Sequence, residues 1–156
     1  MKESEFNELF FKALEPLRAS RRLGPVLFQL PPNFKVDTEL LGAFLAKLPE
    51  DIRTTFEFRN ATWLTDEVYR LLEQHGVALC LAESDKLEVP KVVTAPFVYA
   101  RLRKEEYSAE DRLEIAERVR QQLAEGRDVF VFFKHEDTPA GAVYAEELLK
   151  GGSHDT

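Results

Sequence analysis

Hydrophobic positions along the chain of 156 residues follow two alternating patterns. Five short runs, "PVLFQL", "TTFEFR", "VALCLAE", "PFVYARLR" and "DVFVFFKH", are rich in Val, Leu and Phe and read as strands. Around them apolar residues recur at helical spacing. Residues 3–18 put Phe6, Leu9, Phe10, Ala13, Leu14 and Leu17 on one face. A second helix starts from Asp37 as N-cap and carries Leu40, Leu41, Phe44, Leu45 and Leu48. A third carries Leu64, Val68, Leu71, Leu72 and His75, with Gly76 placed as a C-cap. "SAED" opens a fourth with a capping box, and Leu113, Ala116, Val119 and Leu123 form its apolar face before Gly126. The fifth takes Thr138 as N-cap and Pro139 as its first residue. "GGSHDT", residues 151–156, reads as a disordered tail, and His154 in it carries no function.

Strands alternating with helices predict parallel strands joined by right-handed crossovers, an α/β class, in a single domain over residues 1–150. One crossover is irregular. "DKLEVPKVVTAP" contains two prolines, which leave room for a loop or one short turn but not a full helix. Periodicity alone fits either an open doubly wound sheet or part of a (β/α) barrel. Both place function at the carboxyl ends of the strands.

Side chains alternate along a strand, so Phe56 and Phe58 share one face while Thr55, Glu57 and Arg59 share the other. Gln29 is similarly set against Val26 and Phe28, and Tyr99, Arg101 and Arg103 against Val98, Ala100 and Leu102. A polar face on a parallel strand requires pairing or a cavity, because both faces of such a sheet are normally covered. The candidate constellation is therefore Gln29, Glu57, Arg59, Trp63, Glu83, Asp85, Tyr99, Arg101 and "KHED", Lys134 to Asp137. Glu57 is the candidate acid or base, with His135 as the second. Arg59, Arg101 and Lys134 suit an anionic or sugar-like ligand, and Trp63 and Tyr99 serve as walls. On neighbouring strands Glu57 and Glu83 would form a carboxylate pair. Lys134 is expected to point inward.

Plainer readings accompany each residue. Glu57 with Arg59 or Arg101 reads equally as a structural ion pair, Trp63 as a core residue and His75 as a helix-end residue.

A net charge of -7 and a pI near 5.1 argue against bulk nucleic-acid binding. The single cysteine, Cys80, lies in an apolar run and reads as a small buried hydrophobe, which suits a reducing cytoplasm. No signal peptide or run of apolar residues long enough for a membrane span is visible. No GxGxxG, phosphate-cradling loop, nucleophile signature or metal-ligand spacing such as HxxxH or CxxC occurs. These absences argue against a nucleotide cofactor and leave the cofactor unknown. Metal dependence would require Glu57 or Glu83 to join His135, Glu136 and Asp137.

Together "LGPVLFQLPPNF", "FEFRNATWL", "HGVALCLAES", "TAPFVYARLR" and "GRDVFVFFKHEDTPAGA" resemble the YecE-like family, a numbered family of domains of unknown function in the TIM-barrel superfamily. The resemblance covers nearly the whole chain and implies a fold and a site location, but no reaction. Relatives usually carry "EFRHPSW", so Asn60 stands here for a histidine and Ala61 for a proline. They also begin with a "GTSGWSY"-like strand and further strands that have no counterpart here. The resemblance thus implies a partial TIM (β/α) barrel of about five of eight strands. Its exposed edge strands would self-associate, or the chain would be a truncated, inactive form. Three functions are weighed: an enzyme-like small-molecule site at the barrel mouth, a non-catalytic interaction module, and a metal-assisted nuclease by fold analogy alone.

Overall fold

The structure, a computed structural model, describes residues 3–84, 86–133 and 139–152. Five parallel strands form its centre: β1 (Val26–Gln29), β2 (Thr54–Glu57), β3 (Ala78–Ser84), β5 (Phe97–Leu102) and β6 (Asp128–Phe133). All five were expected. A two-residue strand, β4 (Leu87–Glu88), returns antiparallel to β3, pairing Ser84 with Leu87 and Glu83 with Glu88. It occupies the irregular crossover, where a loop or turn was expected.

The parallel strands lie side by side in chain order, β1-β2-β3-β5-β6, with no reversal. Right-handed crossovers between strands in that order place their helices on one side, so the chain winds as a partial (β/α) barrel rather than a doubly wound sheet. The helices are α1 (Glu3–Ala19), α2 (Thr38–Leu45), α3 (Asp66–Gln74), α4 (Ala109–Ala124) and α5 (Ala140–Gly152). α5 runs two residues into the stretch expected as tail, and Thr138, expected as its cap, lies outside the described residues.

Capping follows the sequence. The Asp37 side chain accepts from the Leu40 N–H, and Ser108 and Asp111 complete a capping box at α4. Gly76 and Gly126, just past α3 and α4, take positive φ of 62° and 81°, a backbone region that glycine enters without a Cβ penalty.

The core has two outer parts and one inner part. Leu41, Leu45, Val68 and Leu72 of α2 and α3 bury Phe56 and Phe58 as predicted. Beneath α4 and α5, Ile115 packs with Leu102 and Tyr107. On the inner face Ala78, Cys80, Phe97 and Tyr99 form a third cluster, with Phe130 against it. Several apolar positions expected on buried helix faces are exposed instead: Leu9, Leu17, Leu40, Leu113 and Leu123. α1 meets β1 through Phe10 and Phe11 against Phe28, and α4 buries Ile115, so in α1 and α4 the buried face includes a residue, Phe11 or Ile115, that the expected stripe omits.

The sheet is curved enough for strands that are not neighbours to touch. At the amino end Arg53, beside β2, pairs with Asp128 of β6 at 2.9 Å and lies over the Phe130 ring. At the carboxyl end Arg101 of β5 reaches over β3 to Glu57 of β2. Among the described residues no helix is long and apolar enough to cross a membrane.

Candidate functional site

β1 and β2 run in register, with Gln29 level with Glu57 at their carboxyl ends. Alternation puts Thr55 and Glu57 on the inner face, opposite the phenylalanines, and Glu57 is only 2% exposed. A carboxylate so far out of water requires partners. It has two: Arg101 Nη1 donates to Oε2 in a short charge-assisted bond, and Arg103 Nη1 lies 3.6 Å from Oε1. Arg101 Nη1 also reaches the Gln29 Oε1 at 3.4 Å. Alternation along β5 sends both arginines inward.

Cys80 sits directly below, its Sγ 3.9 Å from Glu57 Oε2. Burial, and next the Glu57 charge, push its thiol pKa up, so it stays protonated. Thr55 satisfies its own hydroxyl on the Ala78 carbonyl at 3.0 Å. Tyr99 lies deeper, against Phe132 with ring centroids 5.1 Å apart, and burial raises its pKa as well.

A cavity of about 300 Å³ opens beside Glu57. Its charged lining is Glu57, Arg59, Lys86 and Arg103, three cations against one carboxylate. Arg59 and Lys86 are exposed and form no ion pair among the described residues, in a chain whose net charge is -7. A wider cavity, about 590 Å³, lies at the opposite end of the sheet, beside Thr54, Val77, Phe97 and Asp128. It is at the amino ends of the strands, the face of such barrels associated with stability rather than chemistry.

The structure thus gathers Gln29, Glu57, Arg59 and Arg101, and adds Arg103 and Cys80, which the sequence constellation omits. Strand parity already placed Arg103 with Arg101. Three predicted members are elsewhere. Glu83 is on the helix side of β3, where it accepts from the Tyr107 hydroxyl at 3.1 Å and faces Arg118 at 3.6 Å. Cys80 and Ala82 share the face of Glu57, so Glu83 has the opposite parity, and no Glu57–Glu83 pair exists although their strands are neighbours. Trp63 is not a wall. It is buried in the outer core, stacked on Phe58 with centroids 4.8 Å apart, and its indole N–H donates to the Phe34 carbonyl at 2.8 Å. Tyr99 lies below the mouth and does not line the cavity.

Asp85, Lys134, His135, Glu136 and Asp137 lie outside the described residues. Phe130 and Phe132 of β6 face the side of Tyr99. Among the described residues no three His, Cys, Asp or Glu side chains come together as a metal site.

Asn60 caps the 3-10 turn Ala61–Trp63, accepting from the Thr62 N–H at 3.1 Å. Its amide donates to the Pro32 carbonyl at 2.8 Å and so fastens the loop after β1 to the exit of β2. His75 Nδ1 meets the Leu71 carbonyl at the end of α3, the structural role expected of it.

A family model described as "Protein of unknown function DUF72" matches residues 1–154. A solved DUF72 family protein from Enterococcus faecalis is similar with a TM-score of 0.79 at 20% identity, over 96% of this chain and 68% of that one. Another, from Thermotoga maritima, has a TM-score of 0.77 at 26% identity, over 92% of this chain and 63% of that one. The chain therefore spans about two thirds of the length of these relatives. No curated protein matches it.

Proposed function

The chain belongs to the DUF72 family, and on that premise we propose that it binds a small anionic molecule at the carboxyl ends of its strands. One observation carries this reading: Arg59 and Lys86 form no ion pair among the described residues, and they stand beside a cavity whose third cation, Arg103, is held at 3.6 Å from Glu57. Uncompensated cations in a concave, partly apolar wall concentrate anions there, whatever the net charge of the whole chain. Glu57 organises the site. Both its oxygens face arginines, so it serves as the clasp that aims Arg101 and Arg103, and acid-base work by Glu57 requires a ligand to draw one of them away. The single buried cysteine suits a reducing cytoplasm, where we place the protein.

The test is a titration with acetate, sulfate and inorganic phosphate, read as thermal stabilisation. At least one should raise the Tm of the unmodified chain, and the rise should vanish in Lys86→Glu with the starting Tm unchanged. No response to any of the three, or an equal response in the variant, overturns the reading.

A second reading, self-association, is favoured by β6. It is an apolar edge strand of six residues, and Phe132 on it is 47% exposed.

A further inference from the structure

Resting on the anion-site reading, we infer that the ligand is an organic acid with an apolar body, not a sugar phosphate or an inorganic ion. Among the described residues the walls that carry no charge are Pro32, Phe58, Ala82, Leu87 and Val89, all apolar. A polyhydroxylated body requires hydrogen-bonding groups along its length, and each hydroxyl buried without one is penalised. Among the described residues the lining offers it no side-chain hydroxyl and no side-chain amide. Among the described lining residues the one acceptor side chain is Glu57, whose oxygens already face Arg101 and Arg103. The cations among the described lining residues are Arg59, Lys86 and Arg103, so the lining supplies places for an acidic head and an apolar remainder. β4 supplies part of this division, because its two-residue return along β3 presents Leu87 immediately after Lys86. At about 300 Å³ the space is at the small end of the range for ligand pockets, roughly 300–1,000 Å³, which fits a short acid.

The experiment compares acetate, 3-phenylpropionate, 3-phenylpropanol, inorganic phosphate and glucose 6-phosphate by calorimetric titration of the full chain. Each buried methylene is worth about fourfold in affinity, so 3-phenylpropionate should bind more than about tenfold tighter than acetate. It should also exceed the neutral alcohol by about tenfold, and glucose 6-phosphate should bind no better than inorganic phosphate. Leu87→Asn should weaken 3-phenylpropionate while leaving acetate unchanged, and Lys86→Met should weaken both acids. Equal binding of acetate and 3-phenylpropionate, or preferential binding of glucose 6-phosphate, overturns the ligand class while the anion site stands. Absence of binding by every anion removes both.

Discussion

Replacing Glu57 by Gln keeps the shape of the buried group and removes its charge, leaving Arg101 and Arg103 facing an amide. Breaking a fully buried ion pair from one side costs about 3–5 kcal/mol, because the remaining charge is stranded. Here the carboxylate is 2% exposed but the arginine side chains are 17% and 26% exposed and recover part of their hydration, so the expected cost is about 2–4 kcal/mol. For a domain of this size that corresponds to a fall in Tm of about 5–15 °C. Thermal and urea unfolding followed by circular dichroism would measure it. In an Arg101→Met background the same substitution should cost less, because one of the two stranded cations is gone. This outcome is opposite to that of a free catalytic base, whose removal abolishes turnover and leaves stability intact. A fall in Tm below about 2 °C in Glu57→Gln, with no coupling to Arg101, would refute the clasp.

Two further outcomes follow from the same geometry. Burial, and next the Glu57 charge, keep the Cys80 thiol protonated above its ordinary pKa of 9.0, whereas the unfolded chain releases the proton there. Cys80 therefore contributes fully below that pH, and the contribution is lost as pH rises beyond it, by up to about 1.4 kcal/mol per pH unit. Urea midpoints of Cys80→Ala and the parent chain should converge between about pH 8 and about pH 10, and a constant gap would contradict the reasoning. If β6 mediates self-association, size-exclusion chromatography should give a species larger than the 17.9 kDa monomer, and Phe132→Lys should return it to monomer. A sharply melting monomer of the unmodified chain would end that idea.

Much of the fold was legible because periodicity encodes it directly. Phe56 and Phe58 against Glu57, and the Ser108 and Asp111 box, were written in spacing alone. Strand order was not, since periodicity does not say which strands are neighbours; the family resemblance supplied the barrel. The site was read where strand parity was applied and misread where only proximity was. Glu83 is on the strand beside that of Glu57 but three residues past Cys80, which contacts Glu57, hence further along and on the other face. Trp63 was ambiguous because a 3-10 turn interrupts the strand period, and its stacking on Phe58 emerges only from the three-dimensional path of residues 58–63. Exposed Leu113 and Leu123 reflect a different limit. An amphipathic stripe wider than the surface it covers leaves some members in water, and the sequence does not say which.

The clasp over β3 also bears on how the chain acquires its structure in time. Glu57 lies 44 residues before Arg101, and Gln29 lies 72 residues before it, so this corner closes two very long loops at once. Synthesis delivers the carboxylate well before either arginine. Before β5 docks, the Glu57 carboxylate has neither arginine partner, and burying it then carries the cost of desolvating an unpaired charge. The same charge that holds two arginines in the finished fold thus opposes burial of the inner face in any form that lacks the strand supplying them.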